Sequence, residues 1–251
     1  METDELAGRD RPWSRTQPAR AARELLICGV FGSIIRTYSR REVAGLEHLA
    51  RLEGPVIFVA NHCSHVDTPA LLRSLPAKWR RRTAVAAAAD YFYAKRLLAD
   101  AVSLTFGTVP LERRGRDPVT DAAHIRRLLD GGWNLVVFAE GSRSRDGRVA
   151  RMRTGAAVLA AEHGIPIVPV YIAGTHAAMP IGRHWMVRPE GGGRRARHTI
   201  SLSFGPPIRV GLLDDRVEVM AGVRRFMESC GAELTPDADP AAGRTVAASP
   251  V

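Results

Sequence analysis

Apolar residues recur along this chain in short runs separated by turn-forming residues, and their spacing predicts alternating strands and helices. Runs at 55–60, 84–89, 102–111, 134–139, 166–173 and 199–204 are rich in Val, Ile, Leu, Phe or Ala, and most end in Gly, Pro or a polar group, which marks them as strands. Between them, Pro118 to Leu129 and Thr154 to Glu162 place apolar residues at helical spacing, with Asp117 and Thr154 as N-caps and Gly131 and Gly164 as stops. This alternation predicts an α/β fold. The expected architecture is a mixed, largely buried sheet flanked by helices, with active groups gathered at strand ends.

Both ends of the chain depart from that rhythm. Residues 1–20 are polar, include Pro12 and Pro18, and read as a disordered arm; residues 233–251, with Pro236, Pro240 and many alanines, read as a flexible tail. Within residues 21–40 the window Leu25 to Ile35 is strongly apolar and lies between Arg23 and Arg36. It is shorter than the roughly 20 residues needed to cross a bilayer. It fits a helix that lies at a membrane interface or packs onto the domain at 41–232. Trp79-Arg80-Arg81-Arg82 and the stretch Asp90 to Arg96 add aromatic and basic groups suited to a headgroup boundary. Gly191-Gly192-Gly193 reads as a turn before the last strand. The acidic Glu2, Asp4 and Glu5 do not fit a secretory signal.

Charge narrows the choice of partner. The chain carries a formal net charge of +10, which calls for an acidic one. Its basic residues are arginines apart from Lys78 and Lys95, and they are spread along the sequence. Aromatic residues make up only 6%, so no base-stacking platform is evident. An anionic membrane lipid and phosphate-bearing substrates account for the charge, and no nucleic-acid partner is expected. Cys28, Cys63 and Cys230 are too few and too scattered for a disulfide framework, which suits a reducing compartment.

The densest chemical signal is Asn61-His62-Cys63-Ser64-His65-Val66-Asp67, directly after the apolar run 55–60. A histidine and an aspartate at this separation, where a strand gives way to a helix, can meet as an imidazole hydrogen-bonded to a carboxylate. That is a general base without a serine of its own, so the nucleophile can be a substrate hydroxyl. Cys63 and His65 are too close in sequence to face one another as a nucleophile and base, and no third group orients them. A zinc site from His62, His65 and Asp67 lacks the ligand patterns that accompany such sites, so no metal is expected.

Three further blocks follow in order: Gly107 to Arg113, Phe138 to Gly147, and Ile165 to Val170. With the first, they resemble the N-H-x4-D, G-x5-R, F-P-E-G-T-R-S and V/I-P-V/I-x-P motifs of the glycerolipid acyltransferases, the family of lysophosphatidic acid and glycerol-3-phosphate acyltransferases. The resemblance runs from about Leu25 to Glu228. Ala139 replaces the usual proline of the third block, and Ser142 keeps the hydroxyl of the usual threonine.

The resemblance implies an enzyme in phospholipid biosynthesis that moves a fatty acyl group from acyl-CoA or acyl carrier protein to the hydroxyl of a lysophospholipid such as 1-acyl-glycerol-3-phosphate. His62 and Asp67 are then catalytic. Arg113 and Arg143 match the family's phosphate-binding arginines, and bidentate guanidinium donors suit that task. Gly107, Glu140, Gly141 and Ser142 complete the substrate-binding set, with the Glu140 carboxylate placed to fix an arginine or an acceptor hydroxyl. No cofactor beyond the thioester co-substrate is implied, and the expected location is peripheral, at the cytoplasmic face of the cell membrane. Two other readings stay open: a different lyso-lipid acceptor, such as an ornithine type, or a catalytically silent lipid-binding module.

Overall fold

The computed structural model describes residues 8–111 and 123–235. Its strands are β1 (Ser39–Ala44), β2 (Ile57–Ala60), β3 (Thr83–Ala88), β4 (Thr108–Leu111), β5 (Asn134–Phe138), β6 (Ile167–Ala173) and β7 (His198–Phe204). They form one sheet in the order β1-β7-β6-β2-β5-β3-β4. Neighbours run parallel except β6 and β7, which are antiparallel. The α/β expectation holds.

The central strands are apolar on both faces because both faces are covered. Ile57 and Val59 of β2 join Leu135, Val137 and Ile167 in one core, under the helices Ala123–Asp130, Gly155–His163 and Arg216–Ser229. Phe58 and Ala60 alternate onto the other face with Val136, Val168 and Val170, under the Asp67–Ser74 helix and the N-terminal helices. This period-two alternation sends each half of a strand's side chains to a different core.

The structure departs from the sequence expectations at four places. β1 was not anticipated, because Arg40, Arg41 and Glu42 are exposed on a sheet edge and lack apolar alternation. Charges at such an edge discourage pairing with other chains. The run at 102–111 divides: residues through Phe106 belong to the helix Arg96–Phe106, and only Thr108–Leu111 is strand. Gly107 makes the break at φ 68°, a conformation that favours glycine and ends helices.

The arm expected to be disordered through residue 20 is instead ordered from Gly8. Pro12–Arg15 forms a 3₁₀ turn, and Gln17–Glu24 an α-helix that passes through π-helical turns at Leu25–Phe31 into Gly32–Tyr38. Its polar composition conceals specific partners. Buried Arg23 donates to the carbonyls of Ser14, Ser103 and Leu104, placing its charge at the C-terminal, electronegative end of the Arg96–Phe106 helix. Burial lowers its pKa to about 10, which still leaves a cation at neutral pH. Arg11 pairs with Asp100 at 2.6 Å, and Glu24 takes a bidentate contact from Arg80 at 2.7 and 2.8 Å.

The tail is ordered where it begins: Val149 donates to Glu233 O at 2.8 Å, and Thr235 donates to Val149 O at 2.9 Å. Among the described residues no helix is long and apolar enough to cross a membrane. The segment Leu25 to Ile35 does pack, with Ile27 and Ile35 buried, while Leu25 is 76% exposed and Val30 is 53% exposed on its outer side.

Candidate active site

Adjacent parallel strands β2 and β5 end level with one another, Ala60 opposite Phe138. The residues that follow each strand therefore meet above the sheet, as expected for a parallel fold. Asn61 fixes the first of these segments: its side chain donates to Ile172 O at 2.9 Å and accepts from Ile172 N–H at 2.8 Å. This side-chain amide extends the β2–β6 pairing beyond Ala60.

His62 comes next. Its backbone N–H donates to Glu140 Oε1 at 2.7 Å, and its carbonyl accepts from Ser144 N–H at 2.7 Å. Its ring stacks on Phe138 with centroids 4.1 Å apart. Nδ1 lies 2.8 Å from Asp67 Oδ2, with the Asp67 side chain fully buried and that of His62 19% exposed. Oδ2 also accepts from Cys63 N–H at 2.7 Å and Ser64 N–H at 2.8 Å. A carboxylate oxygen with these neighbours can only accept, so the imidazole carries its proton on Nδ1 and leaves Nε2 with a free lone pair. Asp67 opens its helix, and the turn from 63 to 66 wraps its carboxylate with backbone donors.

Glu140 is not placed as the sequence suggested. Instead of an arginine or substrate hydroxyl, its buried carboxylate holds two backbone donors, His62 N–H and Ala150 N–H, the latter at 2.9 Å. Burial pushes its pKa up, and the two donors oppose that shift. Glu140 thus ties the β5 segment to the histidine's own backbone. Cys63 is no nucleophile: burial and then Asp67 raise its thiol to about 12, and its sulfur sits 3.2 Å from the Thr175 hydroxyl.

The imidazole opens onto a cavity of about 520 Å³. Gly141, Ser142 and Arg143 line it beside His62, and much of the remaining wall is apolar, including Phe31, Ile34 and Ile35 with Val102 and Phe106. Gly141 adopts φ 75°, and a Cβ there would lie 2.7 Å from the Arg153 side chain. The dyad, the third block and the N-terminal helix therefore enclose one space.

A family model described as Acyltransferase matches residues 40–173, the span that holds all four motifs. The chain belongs to the acyltransferase family. The resemblance to glycerolipid acyltransferases is borne out. A chloroplastic 1-acyl-sn-glycerol-3-phosphate acyltransferase of Brassica napus is 32% identical over 152 residues, 59% of this chain and 41% of that protein. One from Arabidopsis thaliana is 31% identical over 170 residues, 66% of this chain and 45% of that protein. This chain spans less than half the length of these curated relatives. Among solved structures, the 1-acyl-sn-glycerophosphate acyltransferase of Thermotoga maritima shares the fold, with a TM-score of 0.63 at 23% identity over 90% of this chain and 85% of that one.

Within this acyltransferase-family chain the remaining sequence candidates separate. Gly107 ends a helix and packs against the Arg23 guanidinium, where a Cβ would lie 2.9 Å from Arg23 Cζ. Its place is structural, a correction to the expected substrate contact. Arg113 lies outside the described residues. Sequence reasoning missed Phe138 as the ring under His62, and also the residues of the cavity wall. Asn61 carried a signal, since a polar side chain at the end of an apolar strand needs a hydrogen-bond partner. Phe31, Val102 and Met186 carried none, because their meeting depends on tertiary packing of distant segments.

Proposed function

We propose that this protein transfers a fatty acyl group from an acyl thioester, acyl-CoA or acyl carrier protein, to the hydroxyl of a lysophospholipid such as 1-acyl-glycerol-3-phosphate. The observation that supports this reading is the His62–Asp67 pair, buried behind and open in front, facing a cavity with an apolar interior and Arg143 on its wall. Nε2 of His62 takes the proton from the acceptor hydroxyl as its oxygen attacks the thioester carbonyl. Asp67 stabilises the imidazolium that forms. The carbon–sulfur bond then breaks, and the departing thiolate receives that proton from Nε2. Atoms and charge balance without any covalent acyl-enzyme.

Thiol release from palmitoyl-CoA or an acyl carrier protein donor, measured with and without lysophosphatidic acid, tests this directly. Release should require the acceptor; release to water alone at the same rate contradicts the reading. The Arg143 guanidinium binds the acceptor's phosphate through charge-assisted donors. Losing such a bond costs about 1.5–3 kcal/mol, so Arg143→Ala should raise the acceptor KM about 10-fold to 100-fold. A fall in kcat with KM unchanged would instead put Arg143 to work in the transition state.

The protein sits at the cytoplasmic face of the membrane in this proposal. Leu25 and Leu97 are 76% and 85% exposed on helices whose other sides line the cavity, and Tyr91 and Trp185 on its rim are 58% and 56% exposed. A large exposed apolar set beside a cavity suits contact with a lipid surface. Leu25→Glu with Leu97→Glu should lower flotation with anionic vesicles by about tenfold or more, each leucine contributing roughly 1.5–3 kcal/mol when buried. Unchanged flotation would assign membrane contact to another face.

A further inference from the structure

Two histidines line the cavity beside Arg143 without being specified by any of the four motifs. His65 occupies one of the unspecified positions between His62 and Asp67. His184 comes from the loop between β6 and β7, beyond the residues that match the family model. The two converge on the same opening from segments far apart in sequence. Both line the wall that also carries Arg143 and His62.

The charge balance of this opening is one-sided. Among the described residues that line the cavity, Arg143, His62, His65 and His184 are the groups that can be cationic, and no carboxylate lines it. Asp67 is fully buried behind His62 and committed to three donors, and the Glu140 carboxylate is committed to the backbone donors of His62 and Ala150. His62 itself is reserved for proton transfer. That leaves one permanent cation and two imidazoles with no acidic partner on the wall. Partial desolvation first, then Arg143, holds His65 below the ordinary histidine pKa in the free protein. An entering anion relieves that repulsion.

We propose that His65 and His184, together with Arg143, form a subsite for a phosphomonoester dianion and so set a preference for acceptors that end in phosphate. The inference rests on the acyl-transfer reading for its substrate. A single guanidinium fork satisfies two phosphate oxygens; two imidazole donors reach the remainder and add charge that a phosphodiester or neutral headgroup uses less well. The same phosphate chemistry is also present on coenzyme A, so the acceptor and donor are tested separately.

The experiment uses the full chain with His65→Gln, His184→Gln and the double substitution, at two positions exposed enough for glutamine to fit. Glutamine keeps a donor and removes the ionisable ring. Each single change should raise the KM for lysophosphatidic acid by about tenfold, well beyond any fall in kcat, while the KM for the acyl donor stays put. A rise confined to the acyl-CoA KM would assign the pair to the donor's phosphates and overturn the acceptor subsite. Unchanged KM values for both would remove the subsite altogether. Imidazole ¹⁵N resonances, titrated with glycerol 3-phosphate, judge the subsite even if lysophosphatidic acid supports no thiol release. Shifts at both His65 and His184 are expected, and silence at both overturns the proposal whatever becomes of the acyl-transfer reading.

Discussion

Replacement of His62 by alanine is expected to lower the turnover number by about 10²–10⁴ while leaving vesicle binding and the unfolding midpoint close to those of the unaltered protein. The size follows from removing the sole proton acceptor on the cavity side of the dyad, so that the acceptor hydroxyl must attack without a base. The fold should tolerate the change. Asp67 Oδ2 keeps its Cys63 and Ser64 donors, and the backbone contacts of residue 62 to Glu140 and Ser144 do not involve the ring. Thiol release at saturating acceptor gives the number, and thermal unfolding gives the control. Activity within a fewfold of the original would remove His62 from the mechanism.

Asp67→Ala is expected to lose both activity and stability, in contrast to the loss of activity alone at position 62. Two buried backbone donors, Cys63 N–H and Ser64 N–H, depend on the carboxylate. Each orphaned donor costs about 1–3 kcal/mol, so the substitution should destabilise by roughly 2–6 kcal/mol. Turnover falls as well, because nothing then holds the imidazole with its proton on Nδ1 or stabilises the imidazolium. Asp67→Asn separates the two effects. With its amide oxygen in the place of Oδ2 it keeps the three donors, yet it lacks the negative charge, so stability should largely return while turnover stays low. Urea midpoints and turnover numbers for both variants check this, and an active Asp67→Asn would show that the aspartate only shapes the turn.

The inner strands were readable because burial on both faces forces continuous apolar runs, as in Ile57–Ala60 with every residue buried. The edge strand Ser39–Ala44 was not, since exposed Arg40, Arg41 and Glu42 obey no core. Helix and strand were confused at 102–106 because a short apolar run lacks a decisive period; the glycine at 107 was the available signal. The N-terminal arm escaped notice because its order comes from charge pairs and from Arg23 capping distant carbonyls, none of which leaves a hydrophobic pattern. The His62–Asp67 contact was legible from its spacing taken together with the three blocks that follow it in order. The role of Glu140 was not, because its partners are backbone groups of residues 62 and 150, which any sequence would supply.

The helical stretch from Leu25 to Tyr38 turns Phe31, Ile34 and Ile35 inward and Leu25 and Val30 outward. Its register couples two traits that would otherwise be free to evolve apart. A rotation or one-residue insertion that deepened the chamber for longer chains would also redraw the protein's greasy exterior. Under the proposed function, shifts in preferred chain length should therefore travel with shifts in lipid attachment. An engineer who wants one without the other would do better to alter Val102 or Phe106, whose helix offers a second wall.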